Sequence, residues 1–248
     1  MERSLHTPAI VIRHRNYEES DRFISFLTPY NGRISALAKG VRKLNSRKAG
    51  HLQPFTYVDV QLSQGKGASQ LVTQVTTLEA FPMIWADLEK TVRTSCILEL
   101  AERFSIEGET NPTLFRLTLD TIRRIAWIAD AYPVQRFFDL QLLELSGYRP
   151  QLRQCVRCGK DVEPESQYIS FREGGVLCPK CGASNRDARP ISMRTLKYLR
   201  YYQGREFREA MAAGWPEDIR IESEQILTGY QSYILDRKTN SQKFLESM

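Results

Sequence analysis

Residues 7–40 read TPAIVIRHRNYEESDRFISFLTPYNGRISALAKG, and this stretch decides the fold. Apolar and polar residues alternate in three short runs, at 9–15, 21–27 and 32–40, as expected for strands buried on one face. Asn31-Gly32 lies between the second and third runs and supplies the φ > 0 positions of a tight hairpin. Two further runs follow, FTYVDVQL and QLVTQVTTLEAF. The sequence therefore predicts five strands, the number found in an OB-fold barrel.

Beyond residue 82 the apolar spacing becomes that of helices. Leu88, Val92, Cys96 and Leu100 recur at four-residue intervals, which favours an amphipathic helix. Similar stripes follow in TLFRLTLDTIRRIAWI and PVQRFFDLQLLELSG, before a loop-rich stretch and two C-terminal helices. We therefore predict an α+β chain with four parts: 1–81, an OB-fold nucleic-acid-binding domain; 82–149, a helical bundle; 150–190, an inserted four-cysteine element like a zinc ribbon; and 191–248, C-terminal helices packed on the helical domain.

Two CxxCG elements, CVRCGK and CPKCGA, carry the strongest chemical signal. Nineteen residues separate Cys158 from Cys178, within the range found in zinc ribbons. Two residues between cysteines let one turn bring both thiolates to a metal, and the following glycine tolerates the backbone of that turn. The pattern predicts one structural Zn²⁺ held by Cys155, Cys158, Cys178 and Cys181, with no open position for a catalytic water.

Two other uses of these cysteines stay open from the residues alone. A redox pair needs a thioredoxin-like βαβ context, which the flanking residues do not offer. An iron–sulfur cluster can also take four cysteines. Zinc is favoured over both. Cys96 lies on the apolar stripe of a helix and is expected to be a buried, unreactive thiol.

Residues 39–48, KGVRKLNSRK, hold five cations and no acid, in a chain with 35 Lys and Arg against 29 Asp and Glu. The run begins where the third strand should end, beside the face that binds oligonucleotides in OB-folds. Because phosphates recur along a strand, a groove that follows them needs cations from several segments. The candidate DNA-contacting residues are Lys39, Arg42, Lys43, Arg47, Lys48, Arg13, Arg15, Arg33 and Lys66. Tyr17, Tyr30 and Phe55 are candidates for stacking on bases, although each also suits the core.

The familiar enzyme signatures are missing from the sequence. It has no GxxxxGK[ST] phosphate loop, and its three histidines lack HxE or HExxH partners. Glu18, Glu19 and Asp21 could form a two-metal nuclease site only if they converged, whereas consecutive positions point apart and favour an exposed turn. These features predict a protein that is not an enzyme and has no small-molecule substrate. No apolar run suits a signal peptide or membrane span, so we expect a cytoplasmic protein without a membrane partner.

Several of these segments together resemble the RecO family of bacterial DNA repair proteins, in its zinc-containing branch. The likeness runs in order through TPAIV, AKGVR, GHLQPF, GYRP and the two CxxCG elements. It implies an OB-fold, a helical domain, and a recombination mediator that is not an enzyme. Such a mediator binds single- and double-stranded DNA, anneals complementary strands and works with RecR to load RecA onto DNA coated by single-strand-binding protein (SSB). The basic family stretch corresponds to Lys39, Arg42 and Lys43, and a nucleoid-associated location follows.

The resemblance also implies recognition of the acidic, Phe-ending C-terminal tail of SSB by the helical domain. Guanidinium groups pair well with carboxylates, and the candidates are Arg116, Arg123, Arg124 and Arg136. Two other functions stay open from the residues: an RNA-binding factor built from an OB-fold and a zinc ribbon, and, less favoured, a metal-dependent nuclease.

Overall fold

The computed structural model describes residues 4–65, 70–236, 239 and 241–242. These residues form two compact units that divide between Ala129 and Asp130. The first unit contains a closed barrel whose strands are β1 (Ser4–Tyr17), β2 (Asp21–Thr28), β3 (Gly32–Ala38), β4 (Tyr57–Gln64) and β5 (Gln70–Glu79). Their order is β1-β2-β3-β5-β4, with β3 and β5 parallel and the other pairs antiparallel. The predicted five-stranded OB barrel is confirmed.

The alternation that predicted the strands also fills the barrel. Ala9, Val11, Ile24, Phe26 and Val60 belong to one cluster whose side chains are at most 5% exposed, because residues two apart along a strand face the same side. The hairpin between β2 and β3 pairs Thr28 with Gly32. Gly32 has φ +57°, as the Asn-Gly turn predicted.

Three helices complete the first unit: α1 (Pro82–Trp85), α2 (Leu88–Phe104) and α3 (Pro112–Trp127). Asp87 accepts a hydrogen bond from the Lys90 N–H at the start of α2, and Asn111 does the same for Leu114 in α3, as N-cap residues do. Both α2 and α3 pack against the barrel. The compact unit thus extends past the predicted boundary at residue 81, although the last barrel strand ends close to it, at Glu79. That boundary, as a limit between independently folding domains, stays a prediction.

The second unit contains α4 (Tyr132–Leu145), α6 (Met193–Gln203), α7 (Phe207–Ala213) and α8 (Arg220–Ile234), with a 3₁₀ turn before α8. Gly147 follows α4 with φ +79°, and the Tyr148 N–H reaches back to the Leu143 carbonyl at 2.8 Å, as in a Schellman motif. The C-terminal helices pack on α4. The sequence pattern missed the short α7.

The predicted loop-rich stretch has regular structure. It contains β6 (Gln167–Ser170), β7 (Gly175–Leu177), α5 (Pro179–Ala183) and β8 (Arg189–Ile191), with the strands ordered β7-β6-β8 in one sheet. Leu152, Ile169, Val176 and Ile191 share one apolar core with α4, α6 and α8. The segment is therefore part of the second unit's core. Among the described residues, no helix is long and apolar enough to cross a bilayer.

Candidate nucleic-acid interface and metal centre

The basic loop, residues 39–48, leaves the barrel directly after β3. Val41, inside the loop, and Leu52, just beyond it, are each 1% exposed and belong to the barrel core. At the base, the Asp21 carboxylate accepts a 2.7 Å hydrogen bond from the Gly40 N–H, and the Arg42 N–H donates to the Ser20 carbonyl at 2.9 Å. The loop is thus attached to the barrel through side-chain burial and hydrogen bonds.

Four of the five loop cations project into solvent. Lys39, Arg42, Lys43 and Arg47 are exposed, whereas Lys48 is half-buried and its Nζ donates to the Val72 carbonyl at 2.8 Å. In the part of the chain that the structure describes, none of these five forms an ion pair within 4.0 Å. Their charge is therefore available to an anion from outside the protein.

Asp21 is the acid on which a nuclease function would depend, and its role in the structure is a different one. The hydrogen bond from Gly40 is the main cause that lowers the pKa of Asp21, with contributions from Ser20, Lys39 and Lys43. The Oδ1 atom of Asp21 therefore holds the base of the loop. Within the described ranges, the acids at 18–21 do not form a group that could hold a metal ion.

An apolar side chain stands among the loop cations. Leu44 lies in the turn region of the basic loop and is fully exposed. Some DNA-binding proteins insert exposed apolar side chains between bases while neighbouring cations contact phosphates, so Leu44 is a candidate for a base contact. Leu44 could not be predicted from the sequence, because only the structure shows that it is exposed.

Two strand cations lie at the same barrel end as Lys39. Arg22 on β2 pairs in register with Ala38, the neighbour of Lys39. Arg15 on β1 is opposite Phe23, and its guanidinium lies 5.7 Å from that ring. The register therefore places both residues at the barrel end from which the basic loop leaves, with Arg22 on the same face as Ala38 and Arg15 on the other face. His14 adds little charge at neutral pH, because burial and Arg22 lower its pKa.

The structure separates two other candidates from the basic loop. Arg13 donates to Glu102 of α2 through Nε and Nη2, at 3.0 Å each, so its charge is already paired. Arg33 lies opposite Leu27 near the hairpin, six residues from Lys39, or about 20 Å at the rise of a strand. Lys66 lies outside the described residues.

The candidate stacking aromatics differ in their environments. Phe55 is 4% exposed, and its ring lies 4.7 Å from that of Trp85, so it belongs to the core and not to a binding surface. Tyr17 is 41% exposed and packs edge-on against Phe23, beside Arg15. Tyr30 is 61% exposed but lies in the hairpin, at the far end of β3.

The four cysteines of the CxxCG elements converge at one point. The Sγ atoms of Cys155, Cys158, Cys178 and Cys181 all lie within 4.8 Å of one another, and those of Cys158 and Cys178 are 3.9 Å apart. Zinc–sulfur bonds of about 2.3 Å at tetrahedral angles place sulfurs about 3.8 Å apart. The cluster can therefore hold one metal ion such as zinc, and the donor set fits it.

The surrounding backbone favours ionised sulfur. Burial alone would raise the pKa of Cys155, but N–H groups of Cys178, Cys158 and Arg157 point at its sulfur and lower the pKa to about 6. The neighbouring thiols, Cys178 first, raise the pKa of Cys181. Cys155 thus ionises readily while Cys181 resists ionisation, and a bound dication would favour the charged form of both.

Residues around the cysteines tie the two elements together. Glu173 accepts hydrogen bonds from Arg157 at 2.5 Å and from Asn185 at 2.6 Å, which links the first CxxC turn to the segment after the second. Groups that orient metal ligands commonly form such networks. The sequence pattern missed Glu173, because no local motif connects it to either cysteine pair.

The two glycines after the cysteine pairs have different functions. Gly159 has φ +72° with open space around it, so the predicted reason, a turn backbone that favours glycine, is confirmed there. For Gly182 that reason is wrong. It lies within α5, and an added Cβ would be 2.3 Å from the Tyr168 ring, so close packing excludes a side chain.

The four candidate arginines for tail recognition do not form one exposed set. Arg136 is 1% exposed, and its Nη2 lies 3.1 Å from Asp139, so we leave it out of any surface site. Arg123 pairs with Glu79 of β5. Arg116 is exposed and Arg124 half-buried on α3.

The fold and the two sites define a class: an OB-barrel protein with an exposed basic loop and a four-cysteine metal centre. Comparison with known proteins supplies the family. The family model described as "Recombination protein O N terminal" matches residues 1–81, and "Recombination protein O C terminal" matches residues 86–243.

Curated relatives agree with the family models. A DNA repair protein RecO of Dehalococcoides mccartyi is 34% identical over 242 residues, 98% of this chain and 95% of that one. The protein of the same name from Roseiflexus sp. is 35% identical over 247 residues, 100% of this chain and 87% of that one. The chain belongs to the RecO family, and its role lies in DNA repair and recombination.

Proposed function

We propose that the chain binds single- and double-stranded DNA through the basic loop, with Arg15 and Arg22 extending the contact. The observation that carries this is four exposed loop cations without carboxylate partners in the described residues. Each cation that neutralises a phosphate releases condensed counterions, which favours binding without regard to base sequence. Leu44 would contact a base or sugar at the same site.

The further steps follow from strand binding and from membership in the family. The protein anneals complementary strands and, with RecR, helps to load RecA onto DNA coated by SSB, whose C-terminal tail it recognises. Arg116, which is exposed on α3, is the proposed tail contact, since Arg136 is buried, Arg124 is half-buried and Arg123 is paired with Glu79. It acts in the cytoplasm, at the nucleoid, as a mediator and not as an enzyme. The metal centre, with one zinc ion, has a structural role.

Fluorescence anisotropy with mixed-sequence oligonucleotides at several salt concentrations tests DNA binding. If five phosphates of a single strand are contacted, the logarithm of the binding constant should fall with the logarithm of the salt concentration with a slope of about −3.5. Lys43→Glu should weaken binding and make the slope shallower. Arg33→Glu is the matched control, because it reverses one charge on the same barrel at the far end of β3. Equal effects of both variants, or a flat salt response, would refute the proposed interface.

Annealing is tested with complementary strands coated by SSB, comparing the wild type with a Lys39→Glu/Arg42→Glu/Lys43→Glu variant. Lost annealing in a folded variant supports the proposal. RNA of the same sequence serves as a competitor, because RNA that displaces DNA at lower concentration would identify an RNA-binding protein instead.

A further inference from the structure

A second group of cations lies in the second unit, on residues that no motif connects. Arg153, Lys197, Arg200, Tyr201, Gly204 and Arg205 line a cavity of about 410 Å³, within the size range of ligand sites. Arg205 is partly neutralised by Glu209 at 3.5 Å. Among the described residues, Arg153, Lys197 and Arg200 have no carboxylate partner within 4.0 Å.

The Arg200 guanidinium has a buried donor that could bind a further acceptor. Its Nε donates to the Leu152 carbonyl at 2.5 Å, which fixes the guanidinium plane. Its Nη2 is buried and has no hydrogen-bond partner in the described part of the chain. A buried polar atom normally has a partner, because leaving it without one is destabilising. A phosphate or carboxylate oxygen in the cavity would supply that partner.

The other cations that line the cavity repel the Arg200 guanidinium, whereas they would attract a bound anion. Burial is the main cause that lowers the pKa of Arg200, and the nearby charge of Arg153 adds to it. The C-terminus of α6 at Gly204 attracts a cation, and the Arg153 Nη2 would lie 3.6 Å from a Cβ at that glycine. The C-terminus of the helix can therefore account for one cation at the cavity, but not for all three of Arg153, Lys197 and Arg200.

A shallow apolar recess adjoins the cavity and shares Lys197 and Tyr201 with it. Tyr198 and Ala213 complete its lining, with a volume of about 290 Å³. Tyr201 stands between the two recesses and is 37% exposed. The Arg205 guanidinium lies 5.5 Å from the centre of the Tyr201 ring, so a base would stack on the opposite face while phosphates contact neighbouring cations.

We propose that the cavity binds a phosphodiester of single-stranded nucleic acid, with Arg153, Lys197 and Arg200 on the phosphate and Tyr201 beneath a base. This rests on the proposed function and adds to it a second strand-binding site, in a different unit from the basic loop. Each unit then contacts a strand through its own cations.

Anisotropy with labelled oligothymidylate and the full chain tests this site. Lys197→Glu and Arg153→Glu should each weaken binding about fivefold at 0.1 M salt and make the slope shallower by about 0.7, the effect of one lost phosphate contact. Arg208→Glu is the matched control, since Arg208 is exposed on α7, and should change affinity less than twofold. Combined with Lys43→Glu, the cavity effect should persist, as for independent sites.

The outcomes separate the two proposals. If Lys43→Glu weakens binding while both cavity variants behave like Arg208→Glu, this inference is wrong and the basic loop stands. If the wild type does not bind oligothymidylate, the proposed function fails, and NMR titration with the dinucleotide pTpT then tests the cavity alone. Shifts of the Tyr201 and Gly204 amides would support it, and unchanged amides would overturn it. Stronger binding of an acidic peptide at these amides would also overturn it, by identifying a peptide site.

Discussion

If the four cysteines bind zinc as proposed, removal of the metal is expected to unfold the second unit and leave the barrel folded. The perturbation is Cys178→Ser, which removes one of the four proposed ligands. Leu152, Ile169, Val176 and Ile191 flank the cysteines in sequence and are at most 3% exposed in the core. At about 1.5–3 kcal/mol per buried side chain, they contribute roughly 6–12 kcal/mol. That is comparable with the whole free energy of unfolding of a domain, about 5–15 kcal/mol. Release of this segment from the core should therefore unfold the second unit.

Tryptophan fluorescence provides a reporter for each unit. Trp215 is 4% exposed in the second unit, and its ring lies 4.4 Å from that of Tyr202. Trp85 and Trp127, in the first unit, are 53% and 83% exposed. In a Trp85→Phe/Trp127→Phe background, Cys178→Ser should shift the Trp215 emission to longer wavelength, while the circular dichroism of the barrel persists.

The control is Cys96→Ala, at a thiol buried in α2 of the first unit, which should leave metal content and Trp215 emission unchanged. Elemental analysis accompanies each variant, because metal binding should contribute directly to folding. The reasoning is refuted if Cys178→Ser loses its metal but keeps the Trp215 emission and thermal midpoint of the parent. It is also refuted if carefully purified parent protein contains no stoichiometric metal.

Three further predictions concern the first unit. Gly32→Ala should lower the free energy of unfolding, measured in urea, by more than about 2 kcal/mol, because φ is +57° and the added Cβ would lie 2.0 Å from a backbone oxygen. The control is Gly108→Ala, at φ +78° in open space, which should cost about 1 kcal/mol. The lowered pKa of Asp21 means that its stabilisation is present above the ordinary carboxyl range and is lost as pH falls through the lowered value. The thermal midpoints of the parent and Asp21→Asn should therefore differ most near neutral pH and converge in acid; a constant difference would contradict this. Arg13→Ala should cost about 1–3 kcal/mol by leaving the buried carboxylate of Glu102 unpaired, with DNA affinity within twofold of the parent in anisotropy.

Much of the fold could be predicted because its signals are local. The five strands have one face in the core, so alternation marks them, and the Asn31-Gly32 hairpin needs only two residues to be recognised. The strands β6 to β8 have three or four residues each, too short for any period to show. The division between the two units at Ala129 could not be predicted either. An apolar helix face shows that the helix packs against another element, but it does not identify that element.

The same contrast between local and distant signals applies to the sites. The cysteine pairs and the run at 39–48 could be found because their members are neighbours in sequence. The pairing of Arg13 depends on Glu102, 89 residues away, and no local pattern contains that information. Likewise, Arg153 and Arg200 meet at the cavity although 47 positions separate them.

The anchored backbone of the basic loop bears on annealing. Consecutive turns fix the loop, with hydrogen bonds from Lys43 to Gly40 at 3.2 Å and from Ser46 to Lys43 at 3.0 Å. Under the proposed function, binding therefore orders flexible side chains but not the main chain, which lowers its entropic cost. Contacts to phosphates leave the Watson–Crick edges of the bases unoccupied. A strand held in this way can pair with a second strand while still bound, whereas a protein that reads base edges would have to release it first.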